Sequence, residues 1–255
     1  MYPTIFKIAN FQIYSYGVLL FISFLLGTKM VEMRAKKFGV ESSKITDLAL
    51  LTLIMVVVGA RLLYVIFHWN EFNHDLIGII AFWRGGLGGL MFFGGLVLAL
   101  LVGILYIRKE KMPMLKMLDA VAPAIVLGEG LTRIGCFLNG CCFGKPTNSF
   151  LGCVFPRNSP AGSVFHVPIQ PTQLYSSLAG FILFIAALIL ERKRLRDGLL
   201  FGIIMAFYAL FRFGIDFVRY YENSSNFWVN QIIALAFFIG ALIFTIYILK
   251  KKRTI

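Results

Sequence analysis

Long apolar runs separated by short charged stretches dominate the chain, a pattern that does not suit a soluble core. Seven runs reach roughly the 20 residues that a helix needs to cross a hydrocarbon layer about 30 Å thick. They cover about 12–28, 47–67, 77–107, 117–135, 172–190, 198–218 and 228–249. The short alternating strands of a membrane β-barrel do not occur. The pattern predicts an all-α membrane protein with seven transmembrane helices, forming a single integral membrane domain over residues 1–255. The first run has no basic segment before it and no small-residue cleavage site, so it is expected to be retained. The longest interruption, at about 136–170, is rich in Gly, Pro, Asn and Cys. A loop of that length between spans is more often functional than a spacer.

Composition sharpens this reading. The hydrophobic fraction is 59% and the mean hydropathy is +0.81, outside the soluble range. The net charge of +13 would suit nucleic acid if it were clustered on one face, but it alternates along the chain. Lys29, Arg34, Lys36, Lys37 and Lys44 follow the first run, and Arg108, Lys109, Lys111 and Lys116 follow the third. Arg192, Lys193, Arg194 and Arg196 follow the fifth, and Lys250, Lys251, Lys252 and Arg253 follow the seventh. The intervening loops hold only Lys7, Lys145, Arg157 and Arg219. Positive loops stay on the cytoplasmic side, which predicts an outside N-terminus, a cytoplasmic C-terminus and an extracytoplasmic loop at about 136–170. No nucleic-acid partner is expected.

Four arginines remain within the apolar runs: Arg61, Arg84, Arg133 and Arg212. An intramembrane charge costs about 2.5–3.5 kcal/mol on insertion scales and usually marks function or a buried pair. With alternating spans, all four lie toward the outer leaflet. Separate snorkelling to the headgroups would explain each one, whereas a common anion site explains all four, because the guanidinium fork matches phosphate oxygens. Glu129 precedes Arg133 by four residues, and Arg212 precedes Asp216 by four, so helical ion pairing competes for both. The run from Trp83 to Gly95 carries six glycines, ending in Gly94-Gly95. It permits broken helix with exposed amides for an anion, or close packing of helices through small residues. The four cysteines, Cys136, Cys141, Cys142 and Cys153, fall at or beyond the outer end of the fourth run. That side permits a Cys153 bridge to Cys141 or Cys142. Zinc suits the spacing less well, since no histidine stands at ligand distance, and small buried thiols are the third reading.

The segment Arg133-Ile134-Gly135-Cys136-Phe137-Leu138-Asn139-Gly140-Cys141-Cys142-Phe143-Gly144-Lys145-Pro146-Thr147 resembles the signature of the prolipoprotein diacylglyceryl transferase family, in the branch with a Gly-Cys-Cys form of the motif. Tyr16-Gly17, Gly59-Ala60-Arg61, Trp83-Arg84-Gly85-Gly86, Gln170-Pro171-Thr172-Gln173-Leu174-Tyr175 and Phe211-Arg212-Phe213-Gly214-Ile215-Asp216 follow the family in order. The resemblance implies a multi-pass protein of the bacterial inner membrane. Its partners would be phosphatidylglycerol and a prolipoprotein signal peptide with a lipobox cysteine. Its product would be a thioether, with glycerol phosphate released and no cofactor or metal required. On the same basis Arg133 and Arg212 are the leading catalytic and phosphate-binding residues. Tyr16, Asn139 and Gly144 shape the site, Arg61, Arg84, Gly94 and Gly95 contact lipid, and Glu129, Asp216 or Tyr16 takes the proton.

The sequence departs from the family in several places. Phe93 stands where histidine or tyrosine is common, Cys136 and Cys141 replace Asn and Glu, and Ser176 replaces Glu. These departures leave open a paralogous transferase with another acceptor, or a lipid-binding or lipid-moving protein without catalysis.

Overall fold

The computed structural model describes residues 4–8, 11–72, 76–80, 90–193 and 195–250. The chain opens with an antiparallel hairpin of β1 (Thr4–Ile8) and β2 (Phe11–Tyr14), in which Phe6 pairs with Ile13 and Ile8 with Phe11. Helices follow: α1 (Ser15–Ala35), a 3-10 turn at Lys36–Phe38, α2 (Ser42–Phe67), α3 (Trp69–Phe72), α4 (Leu76–Ile80), α5 (Phe92–Lys109) and α6 (Met114–Asn139). The rest of the chain forms α7 (Pro160–Val164), α8 (Thr172–Glu191), α9 (Leu199–Ile215) and α10 (Ser224–Lys250). Among the described residues, six helices are long and apolar enough to cross a membrane, and α9, at 17 residues, is shorter. The chain is a multi-pass membrane protein built almost wholly from helix.

Several boundaries differ from the sequence expectation. The first helix begins at Ser15 rather than near residue 12, because alternating Phe11–Tyr14 joins the hairpin. The third apolar run is not one continuous helix: Leu76–Ile80 forms the short α4, and the long helix begins at Phe92, with Met91 extended just before it. Residues 81–89, including Arg84, lie outside the described residues. The fourth helix continues to Asn139, so Cys136–Asn139 are helical rather than part of the loop. Nothing in Arg133–Asn139 breaks a helix, and Gly140, with φ +73°, is the first residue that does. The sixth apolar run ends early because residues 218–220 leave the helix to pair with 143–145: Lys145 N donates to Val218 O and Tyr220 N to Phe143 O.

Two compact units divide the chain: Glu32–Met114, and Met1–Val31 together with Leu115–Ile255. In the first unit, α2 and α5 pack antiparallel. Lys44 pairs with Glu110 at 2.8 Å at one end, and Gly59 and Gly94 meet backbone to backbone toward the other. A Cβ on Gly94 would collide with Gly59 O, and one on Gly95 with Val56 O. Gly94→Val is therefore expected to lower stability by about 1–3 kcal/mol through overpacking. Gly240→Ala, where an added Cβ meets no described atom, should be neutral or stabilise by up to about 1 kcal/mol. Thermal unfolding of both variants in detergent checks the pair, and equal midpoints would remove the packing argument.

In the second unit, α6, α8 and α9 share a core of Ala122, Val126, Ala187, Leu200, Ile204 and Met205. Gly130 and Gly180 let α6 and α8 approach closely, and Ser177 Oγ donates to Gly130 O at 2.8 Å. Asp119 on α6 receives Gly198 N at 2.6 Å and Phe201 N at 2.8 Å. It thus serves as the anion at the positive N-terminus of α9. Between α6 and α8, the loop closes over its own core of Phe155, Ala161 and Ile169.

Candidate active site

The second unit gathers most of the residues singled out from sequence. Arg133 is in the penultimate turn of α6, where Glu129, one turn earlier, accepts from its Nε at 2.8 Å. The two terminal guanidinium nitrogens of Arg133 have no hydrogen bond to a described residue, which leaves the outer fork for a ligand. The second pair is on α9: Arg212 Nη1 contacts Asp216 Oδ1 at 2.8 Å. Asp216 has no exposed surface, while Arg212 keeps 20% of its side-chain surface. Both i,i+4 pairs expected from spacing are formed, and both arginines are still partly exposed.

Tertiary contacts add partners that spacing alone does not reveal. Tyr221 donates to Asp216 Oδ1 at 2.6 Å and lies 3.5 Å from Arg212 Nη2. Burial, and then the hydrogen bond to Asp216, push the Tyr221 phenol above its ordinary value, so it remains a donor at neutral pH. Tyr208 lies within electrostatic reach of Glu129, Arg133, Arg212 and Asp216 and so is a common neighbour of both pairs. Sequence reasoning missed Tyr208 and Tyr221. The first carries a signal, since it stands four residues before Arg212 on the same face of α9. The second lies past the end of the helix, where no periodicity applies.

Tyr16, near the start of α1, shares its surroundings with Arg133, Cys136, Cys141 and Cys142. Gly135 makes room for it: a Cβ there would stand 3.1 Å from Tyr16 Cα. Asn139 closes α6. Gly140 and Cys141 then cap the helix: Gly140 N donates to Phe137 O at 3.1 Å, and Cys141 N to Cys136 O at 3.1 Å. Gly144 is clamped between two chain segments. Its N–H donates to Gln170 O at 3.0 Å, it bridges to Arg219, and a Cβ would come within 2.6 Å of Gln170 O. Phe143 stacks on Tyr220 with centroids 5.5 Å apart, which fixes the end of the motif against the chain leaving α9.

Four expected residues belong to the other unit or fall outside the description. Arg61 Nη2 donates to Gly78 O at 2.7 Å and its Nε to Ile79 O at 3.1 Å, and the guanidinium lies over the Tyr64 and Phe72 rings. Gly94 and Gly95 pack α5 against α2, which is the small-residue reading of the glycine run. Arg84 lies outside the described residues. Phe93 is half-exposed and touches the Phe92 ring edge-on, with no group that takes a proton. All four cysteines are free thiols, so neither Cys153 bridge is formed. The sulfurs of Cys136, Cys141 and Cys142 instead converge within 4.8 Å of one another, and among the described residues these three form the group able to hold a metal.

Comparison with known proteins covers nearly the whole chain. The prolipoprotein diacylglyceryl transferase family model matches residues 3–247. A phosphatidylglycerol–prolipoprotein diacylglyceryl transferase of Clostridium tetani is 31% identical over 257 residues, covering 99% of this chain and 100% of the relative. A second such transferase from Clostridium perfringens is 31% identical over 252 residues, covering 97% and 96%. One from Finegoldia magna is 32% identical over 254 residues, covering 98% and 96%. Matched along nearly its entire length by a family model and by relatives of its own size, the chain belongs to the prolipoprotein diacylglyceryl transferase family.

Proposed function

We propose that the protein transfers the diacylglyceryl group of phosphatidylglycerol to the lipobox cysteine of prolipoproteins, in the bacterial inner membrane. The observation that carries this reading is the pair of partly exposed arginines, Arg133 and Arg212, each held by a carboxylate one helical turn away and both within electrostatic reach of Tyr208. The acceptor sulfur attacks the glycerol carbon that bears the phosphate. The carbon–oxygen bond breaks, its electron pair goes to the phosphate oxygen, and glycerol phosphate departs. Negative charge grows on that phosphate, and preorganised cations in a low-dielectric site stabilise it. Arg133 offers its outer fork to the phosphate. Arg212 supplies the second cation, with Asp216 and Tyr221 as positioning residues behind it. Tyr16, Asn139 and Gly144 line the acceptor side. Arg61 and Arg84 are assigned to lipid binding on their motifs alone, whereas Gly94 and Gly95 pack α5 against α2.

The same reading takes α1, α2, α5, α6, α8, α9 and α10 as seven crossings of one integral domain, with the N-terminus outside and the C-terminus cytoplasmic. At 1.5 Å per residue, the 17 residues of α9 span about 26 Å, near the thickness of a thin hydrocarbon core. The alternation of basic loops supports the orientation. In intact spheroplasts, Asn158→Cys is expected to react with a membrane-impermeant thiol reagent beyond the wild-type background. Lys193→Cys should react only once the membrane is opened. The opposite pattern would put the arginines at the cytoplasmic leaflet and defeat the orientation.

The activity itself is tested by incubating the purified protein with labelled phosphatidylglycerol and a lipobox peptide. A thioether-linked peptide is the expected product. Lipid that is retained without turnover would identify a binding or lipid-moving protein instead.

A further inference from the structure

Cys136, Cys141 and Cys142 are brought together by a specific local construction. Cys136 is buried in the last turn of α6. Gly140, at φ +73°, reverses the chain, and the bond from Cys141 N to Cys136 O sets Cys141 beside Cys136. Cys142 adopts φ +60°, a conformation rare for a residue with a side chain. The first turn of α8 holds this turn in place: Gln173 Nε2 donates to Cys141 O and Thr172 Oγ1 to Cys142 O, both at 2.8 Å. Gln173 and Thr172 are themselves buried, so the loop is anchored to the helical core. The result is three sulfurs within 4.8 Å of one another. Around one zinc ion, with Zn–S of about 2.3 Å, three sulfurs stand roughly 3.8–4.0 Å apart. Small side-chain rotations close that difference.

We propose that Cys136, Cys141 and Cys142 form a three-thiolate site for a soft divalent cation, zinc above all, whose open fourth position takes the acceptor cysteine of the substrate. This inference rests on the transfer reading for the identity of the fourth ligand. An all-sulfur donor set selects zinc-like cations over magnesium or calcium. Three protein ligands with a vacant position is the pattern of a catalytic zinc site, whereas structural sites are closed by four. Cys141 and Cys142 are partly exposed, so the cluster is open on one side. A divalent ion with three thiolates carries one negative charge, and a fourth thiolate adds another. Arg133, three residues before Cys136 on α6, and Arg219, which bridges to Gly144 at the end of the turn, bring positive charge near the cluster.

The site answers a requirement that the other side chains leave unmet. A free thiol, with a pKa near 8.5, must lose its proton to act as a nucleophile. Among the residues expected to take it, Glu129 is engaged by Arg133, Asp216 is fully buried, and Tyr16 is a phenol, which ordinarily keeps its own proton at neutral pH. A thiol that coordinates zinc is deprotonated outright. Its proton passes to solvent, and the metal-held sulfur then forms the bond to the glycerol carbon while the phosphate leaves. Cys136 and Cys141, which stand where the common family pattern has Asn and Glu, are thus two of the three ligands. A metal site goes beyond the sequence expectation, which required none.

The test uses the full-length protein in detergent, purified with reductant and loaded with Co(II) as the probe. A near-ultraviolet sulfur-to-cobalt charge-transfer band with about one equivalent of bound cobalt is expected, and zinc should displace it. Cys136→Ser, Cys141→Ser and Cys142→Ser should each weaken or abolish the band, while Cys153→Ser keeps it. A lipobox peptide should shift the band, and the same peptide with serine in place of cysteine should not. Three results would overturn the site: no band in the wild type, a band of full strength in the Cys142→Ser variant, or a disulfide within the trio in protein purified without reductant. The wild-type measurement decides the matter even if a serine variant fails to fold. Failure of the transfer reading looks different: cobalt bound through sulfur, but no thioether formed on the peptide by the zinc-loaded protein.

Discussion

Arg133→Ala and Arg212→Ala are each expected to lower the rate of thioether formation by about a hundredfold or more, with the protein still inserted and folded. Removing one preorganised donor from a developing oxyanion typically costs about 3 kcal/mol, which corresponds to that factor. Arg133 should show the purer effect on catalysis. Its side chain hydrogen-bonds to one described residue, Glu129, through Nε, and Glu129, with 19% of its surface exposed, can be solvated when the arginine is gone. Lysine at position 133 should recover part of the loss, since it restores the charge but not the planar fork. Turnover of labelled phosphatidylglycerol with a lipobox peptide, measured beside the thermal midpoint, checks both variants. If either alanine variant turned over at a near-normal rate, that arginine would be only a structural partner of its carboxylate.

Asp216→Ala is expected to produce the largest loss of stability, about 3 kcal/mol, with transfer falling along with it. The carboxylate is fully buried and receives both Arg212 and Tyr221 on Oδ1. Truncating it leaves a guanidinium and a phenol without their acceptor, and breaking a buried pair from one side costs about 3–5 kcal/mol. The lower end applies here because Arg212 keeps 20% of its side chain exposed. The double variant Arg212→Ala with Asp216→Ala should be less destabilised than the two single effects added, because the orphaned charge is then absent. Thermal and denaturant unfolding in detergent measure all three variants. Strict additivity, or a loss below about 1 kcal/mol for Asp216→Ala, would show that the pair is not coupled in the way the geometry implies.

Much of the site was legible from spacing because its core is helical. Glu129 with Arg133, and Arg212 with Asp216, are neighbours on any α-helix, and both contacts are present at 2.8 Å. The apolar runs likewise identify membrane helices, since a lipid environment admits few other backbone solutions. The errors fall where a local pattern competes with a longer-range partner. Phe11–Tyr14 is apolar enough to extend the first helix but pairs as a strand with the segment before it. Residues 218–220 would continue α9 but pair with 143–145 instead. Gly94 and Gly95 suit an anion-binding backbone equally well in sequence, and only the approach of α2 assigns them to packing.

By itself, then, the sequence determined the membrane class, the family and the two ion pairs, because each depends on composition or on contacts within about one helical turn. Only the tertiary structure decided that Tyr221 completes the Asp216 pair, that Tyr208 neighbours both arginines, and that Gln173 and Thr172 of α8 hold the turn on which three cysteine sulfurs meet. Apart from Tyr208 with Arg212, which share a face of α9, those contacts lie beyond a helix end, across a loop or between helices, where helical periodicity does not specify them. They form only when helix packing and loop closure bring the segments together, and that outcome follows from the whole set of buried surfaces rather than from any short stretch of chain.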